Sequence, residues 1–453
     1  MIRGIVRFLD ERAGAAPFLR KALRYVFPDH WSFMLGEIAL YAFVVLVATG
    51  VYLTFFFEPS LASVHYHGDY LPLRGREMSE AYRSTVELSL SVKAGLLIRQ
   101  THHWAANVFV AAIVVHLLRI FFTGAFRKPR DLTYYIGLTM LGLALVEGYA
   151  GYSLVDDLLS GMGLAIGYAV LMAVPFVGAN LAQLNWDGPY PGSHAFESRL
   201  YIAHVLVFPI LIGGLIALHL ALVAARHHTE FIGPRATEKH VVGMPAYPAY
   251  APRSLGLAFA VTAVLFLLGG LVQINPIWQW GPYHVADATN GAQPDWYLGW
   301  LIGALRLIPS FDVTIGHYTL VPNPFWGGAG FPLLVFLVLF AWPALERRVT
   351  GDYGFHNLLD RPRDAPWRTA VGAAFFTWIF IIFLAGAADR MFVLFGLSYE
   401  GQVWAFRVLV WVLPVAALFV TKRVCDELLR GEVVETRRKL VEAEPAASAE
   451  AVP

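Results

Sequence analysis

Four histidines carry the chemistry most legible in this sequence. His102 and His116 lie 14 residues apart in VKAGLLIRQTHHWAANVFVAAIVVHLLRIFF, and His204 and His219 lie 15 apart in RLYIAHVLVFPILIGGLIALHLALV. At ~1.5 Å rise per residue, each pair spreads over roughly 21–23 Å of helix. Neutral imidazole is a good iron ligand, and two of them on opposite faces of a haem give a six-coordinate centre suited to electron transfer. A single histidine in an apolar run is more often a hydrogen-bonded core residue. Four histidines matched in depth on two helices favour ligation, because polar groups inside a membrane span are costly and usually functional. The pairing expected is His102 with His204 and His116 with His219. His103 is the ambiguous neighbour; His102 fits the depth match better, which leaves His103 to face protein or the interface.

Other residues repeat the histidine spacing. Gly36 and Gly50 are 14 apart on one apolar run, as are Gly137 and Gly151 on another. Without a Cβ, these positions let a flat macrocycle edge approach the backbone, although glycine also serves close helix packing in membranes. Arg99, Arg119 and Arg199 flank ligand positions and are placed to pair with haem propionates through bidentate hydrogen bonds. Interfacial anchoring is the competing role, above all for Arg119.

The elements that must hold these groups are membrane spans. The chain has 453 residues, 57% hydrophobic and only 15% charged, against about a quarter charged in soluble proteins. Apolar stretches near 20 residues predict eight spans, at about 34–57, 94–122, 132–150, 200–224, 255–274, 329–345, 368–388 and 404–421. The Gly- and Pro-rich connections 151–199 and 275–328 are expected to be surface or re-entrant helices. The fold expected is therefore all-α and polytopic, with a di-haem four-helix bundle in the N-terminal half. The 34 Lys and Arg residues are concentrated in the N-terminal arm, alternate connections and the C-terminal segment. The positive-inside rule then puts both termini in the cytoplasm, with His102 and His204 near the outer face. Four segments are expected: an amphipathic arm 1–30, the bundle 31–230, a second helical domain 231–425, and a polar, disordered tail 426–453. The N-terminus shows no cleavable signal peptide.

Composition also excludes. A formal net charge of +1 argues for no nucleic-acid partner, and the lone Cys425 leaves no disulfide, cysteine–zinc site or covalent CxxCH haem. Internal inverted repeats typical of transporters are not apparent.

Taken together, these residues resemble cytochrome b of quinol–cytochrome c reductases (the cytochrome bc1 family). IRQTHHW followed by HLLRIFFTGAFRKPRDLT is similar to the second helix of that family and its exit. GYSL at Gly151–Leu154, RLYIAH at Arg199–His204 and PDWY at Pro294–Tyr297 match further positions, the last with Asp where the family has Glu. FPDHWSFMLGEIALY is most like the actinobacterial type. The resemblance covers about residues 25–425. It implies two non-covalent, bis-histidine b haems in the cell membrane, the outer of low potential and the inner of high potential. It further implies an outer quinol-oxidation site with Pro294, Asp295 as proton acceptor, Trp296, Tyr297 and Tyr152. An inner quinone-reduction site would draw on Glu37, His30, His227 and His228. Coupled proton translocation is implied, with menaquinone the favoured substrate. So are a Rieske iron–sulfur subunit, a c-type cytochrome subunit, a homodimer of complexes, contact with membrane lipids, and a supercomplex with a terminal oxidase. The alternative is a di-haem anchor of another quinone-linked oxidoreductase, which needs neither the PDWY loop nor four further helices.

Overall fold

The structure is a computed structural model that describes residues 4, 8, 10–12, 14–193, 195–287 and 293–449. Eleven helices organise the account: α1 Ala15–Leu23, α2 Leu35–Thr54, α3 Gly95–Phe122, α4 Asp131–Ser153, α5 Leu158–Met172, α6 Phe208–Arg226, α7 Ala251–Leu271, α8 Gly299–Leu307, α9 Phe331–Thr350, α10 Pro366–Gly386 and α11 Tyr399–Ala449. Among the described residues, seven helices are long and apolar enough to cross a membrane, beginning with Trp31–Thr54 and ending with Tyr399–Glu435. The remaining expected span, 132–150, falls on α4. That helix is 23 residues long but carries Glu147 and several tyrosines, and at ~1.5 Å per residue it is long enough for a roughly 30 Å hydrocarbon core.

The connections behave as their Gly and Pro content suggests. Residues 158–186 fold into α5 and a short helix Gly178–Trp186, and the 275–328 segment into α8 and a hairpin of Val313–Ile315 with Tyr318–Val321. Among the described residues, four two-stranded pairs tie the loops. One of them is parallel and joins Glu230–Phe231 to Leu358–Leu359.

Two departures from expectation have clear causes. α11 runs on to Ala449 through most of the segment expected to be disordered. Its Glu, Leu, Arg and Ala residues are strong helix formers, and i,i+4 pairs Lys422–Asp426 and Arg423–Glu427 support it. Residues 450–453 of that tail and most of 1–13 lie outside the described residues. The second departure concerns the fourth expected span. It is not one uniform helix: Ala195–Ile202 passes through a π-helical turn, Ala203–Val207, before α6 begins. Pro209 has no N–H to give the Val205 carbonyl, so the regular ladder is interrupted there.

Two of the apolar cores among the described residues position the site. Small side chains let α2, α3, α4, α6 and α7 approach around Ala42, Ala105, Ala144, Ile212 and Leu265. A second core joins α8, α9, α10 and α11 around Ala304, Phe331, Ile382, Ala385 and Val410. There α8 and α10 touch backbone to backbone: a Cβ on Gly303 would lie 1.7 Å from the Ile382 carbonyl oxygen. That contact fixes the loop immediately before α8, which carries Pro294–Tyr297.

Candidate functional site

The four-helix bundle encloses two cavities, one above the other. The one on the side that the positive-inside rule leads one to expect outside, called the outer cavity, is about 260 Å³, and the other, called the inner, is about 790 Å³. Phe109 lines both. His102 and His204 line the outer cavity, and His116 and His219 the inner.

Each imidazole stands against a glycine of a neighbouring helix. An added Cβ would lie 2.4 Å from His204 Cε1 at Gly151, 3.2 Å from His102 Cε1 at Gly50, 3.4 Å from His116 Cε1 at Gly36 and 3.9 Å from His219 Cε1 at Gly137. The π turn matters here. His204 lies within it, and one extra residue in that turn absorbs the difference between the 15-residue and 14-residue spacings.

In the outer cavity, the His102 and His204 rings face each other with centroids 6.3 Å apart and planes 85° to one another. Metal–imidazole bonds of about 2 Å put two rings on one ion with centroids roughly 6 Å apart. His102 Nδ1 lies 2.9 Å from Thr49 Oγ1, whose own proton goes to the Val45 carbonyl. His102 is therefore the donor at Nδ1, which leaves Nε2 a free lone pair. On the opposite side Glu147 Oε1 lies 3.0 Å from His204 Nδ1, close but not aligned as a hydrogen bond.

His103 turns away from this pair. Its Nε2 lies 2.7 and 2.9 Å from the two carboxylate oxygens of Asp295, and the Tyr297 hydroxyl donates to Asp295 Oδ2 at 2.9 Å. Burial alone would raise the Asp295 carboxyl. The neighbouring His103, Tyr297 and Asn107 outweigh it and hold the group below the usual carboxylate range. Tyr152 and Tyr297 line the same cavity. Pro294 and Trp296 do not; Trp296 points outward and is 40% exposed.

The inner cavity is assembled differently. Glu37, His227 and His228 line it, together with Tyr25, Phe27, Arg130 and Tyr250, which the sequence reading missed. His228 is driven down to about 4 by burial and then by Arg130, Arg119 and His227, so it is neutral at physiological pH. Arg130 donates to the carbonyls of Arg226, His227 and His356, tying three loops together. His30 is not at this cavity. It caps the short helix Trp31–Met34, with Nδ1 bound to Ser32, the role its position directly before a helix start dictates.

The arginines divide. Arg99 is 8% exposed and gives one nitrogen to the Asn275 carbonyl, while its Nε has no partner. Arg119 rests over the Phe33 ring at 4.2 Å, with Nε and Nη2 buried and without partners among the described residues. Such guanidiniums are costly unless an anion meets them. Arg199 is not at the cavity: it is half exposed and lies 3.6 Å from Asp187, because the start of its helix packs beside Gly178–Trp186. Among the described residues, no group of three or more His, Cys, Asp or Glu gathers to hold a bare metal ion. Paired imidazoles, glycine cradles and unpartnered arginine nitrogens together fit a planar iron macrocycle bearing carboxylates.

Comparisons with known proteins place the chain among relatives. Residues 107–282 match the family model described as "Cytochrome b(N-terminal)/b6/petB". The chain is 45% identical over 432 residues to the cytochrome bc1 complex cytochrome b subunit of Streptomyces coelicolor, covering 94% of this chain and 78% of that one. It is 48% identical over 425 residues to the subunit of the same name from Mycobacterium tuberculosis, covering 94% and 77%. Among solved structures, a hyperthermophilic respiratory Complex III chain superposes with a TM-score of 0.68 at 20% identity, over 92% of this chain and 98% of that one. That last likeness speaks to the fold.

Proposed function

The chain belongs to the cytochrome b subunits of cytochrome bc1 complexes, and on that premise we propose that it oxidises quinol at the outer cavity and reduces quinone at the inner one. Haem b held by His102 with His204, and by His116 with His219, would supply one-electron transfer between the two sites. What supports the reading is the stacking of two imidazole-lined cavities that share Phe109.

At the outer cavity, Asp295 accepts a proton from the quinol hydroxyl. Its carboxylate is kept ionised and aimed by His103 and Tyr297, which compensates for a side chain one methylene shorter than glutamate. General-base catalysis of this kind contributes about 10²–10⁴-fold. At the inner cavity, the neutral His228 offers a hydrogen bond to a quinone carbonyl. Arg99 and Arg119 are placed to meet the propionates. Two electrons leave each quinol, so partners must take the one that does not cross: a Rieske iron–sulfur subunit and a c-type cytochrome subunit, with a homodimer and a terminal-oxidase supercomplex as the wider assembly. Menaquinone is the favoured substrate. The cell membrane is the setting, with both termini cytoplasmic and protons released outside.

The test is Asp295→Asn in the intact complex. Quinol-dependent cytochrome c reduction is expected to fall about 100-fold or more at unchanged haem content. Unaltered turnover across a broad pH range would remove Asp295 from this role.

A further inference from the structure

The inner cavity contains a carboxylate held in an unusual way. Glu37 lies in the first turn of α2. The Tyr250 hydroxyl donates to Oε1. Ser254 Oγ donates to Oε2 at 2.8 Å, and Tyr41 reaches the same oxygen at 3.4 Å while lying 2.5 Å from Ser254 Oγ. Three hydroxyls from two helices thus converge on one carboxylate. Glu37 and Tyr250 line the cavity, whereas Ser254 and Tyr41 hold the carboxylate from behind. The Tyr250 ring is fixed as well, stacked on Phe27 at 3.8 Å with planes 7° apart. A tie between α2 and α7 would need only the rear pair. Nothing structural requires the carboxylate and a phenol to face open space.

We propose, resting on the inner quinone site described above, that Glu37 and Tyr250 form the proton-delivery pair for one carbonyl oxygen of the quinone in that cavity. Reduction of quinone to quinol takes two electrons, supplied by quinol oxidation at the outer cavity, and two protons. At this oxygen the Tyr250 O–H bond breaks as the substrate O–H forms. Glu37, which has first taken a proton from the inner aqueous phase at its carboxylate, then returns that proton to the Tyr250 oxygen and is a carboxylate again. The other carbonyl oxygen takes its proton at the opposite wall, outside this proposal. The charged and titratable groups that line the cavity with the pair are Lys21 from α1, Tyr25 after it, His116 and Arg119 from α3, Arg130 before α4, Tyr134 from α4, His219 and Arg226 from α6, and His227 and His228 after it, with Tyr41 of α2 behind.

The experiment uses the intact complex with Asp295→Asn as background, which silences the outer site. Added quinol then exchanges electrons with the inner haem only through the inner cavity, and the exchange rate is followed optically across pH. Glu37→Gln is expected to slow it about tenfold or more, flatten its pH profile and abolish a carboxyl band in the redox-difference infrared spectrum. Glu37→Asp should restore part of each. Exchange at the background rate and an unchanged infrared spectrum in Glu37→Gln would overturn the assignment. Should Glu37→Gln lose haem, Tyr250→Phe keeps the ring on Phe27 and removes only the proton; unchanged exchange there overturns it equally. If the Asp295→Asn background itself shows no exchange, the inner site as a whole is refuted, and the proton pair with it.

Discussion

The outer and inner cavities are each lined by two histidines but are built on opposite principles. The outer one is tight, about 260 Å³, and its polar groups are locked: Thr49 on His102, and His103 with Tyr297 on Asp295. The inner one is three times larger by volume and is closed by loops, with Tyr25, His228 and Tyr250 brought together from three separate segments. The lesson is that polar groups locked by partners make a compact cavity even where one of them, Asp295, comes from a loop. Loop residues drawn from separate segments leave a roomier one.

The contrast is most exposed at the glycines. If the outer tier is the tighter, Gly151→Ala should do the most damage, because its Cβ would sit 2.4 Å from His204 Cε1, and Gly137→Ala the least, at 3.9 Å. Overpacking of about 1–3 kcal/mol corresponds to roughly 5- to 150-fold weaker retention of the outer haem. Spectroscopic haem counts on the two variants check it. Equal losses in both would erase the distinction between tiers.

A smaller effect is expected at Pro209. Restoring an N–H with Pro209→Ala lets the ladder close and draws the π turn towards a regular helix, which rotates His204 away from His102. Strain of order 1 kcal/mol predicts a loss of outer haem by a rough factor of a few, with the inner haem untouched. Loss of both would show that the turn serves the helix as a whole.

The smallest effect concerns the loop-built side. His228 titrates near 4 in the fold because burial and neighbouring cations disfavour its charge, against about 6.5 unfolded. The unfolded chain binds the proton more readily, so stability is fully present above pH about 6.5 and is lost as pH falls towards about 4. Thermal unfolding of the complex over that window should show the loss, and His228→Gln should reduce it. A pH-independent difference between the two would contradict the burial of His228.

These variants also mark where the sequence could be read. The bundle, the histidine pairs and the matching glycines were legible because 14-residue spacing on a helix translates directly into one face and one depth. Asp295 was legible as a motif, but its partner was not: His102 and His103 are chemically identical in sequence, and only the direction each ring takes separates them. Arg199 and His30 were misread for the opposite reason. Their proximity along the chain to a ligand or a helix start says nothing about a competing partner such as Asp187 or Ser32. The inner cavity was least legible, since Glu37 meets Tyr250 and Ser254 across more than 200 residues, a contact that no periodicity encodes. The π turn left a trace, the odd 15-residue interval with Pro209 inside it, which geometry alone could have flagged.

Haem stoichiometry by tier tests the central claim most directly. Reduced-minus-oxidised spectra with a pyridine haemochrome assay should find two b haems per chain in the intact complex. His102→Ala or His204→Ala should remove only the outer one, and His116→Ala or His219→Ala only the inner. A colourless preparation, or single substitutions that leave both haems in place, would contradict it.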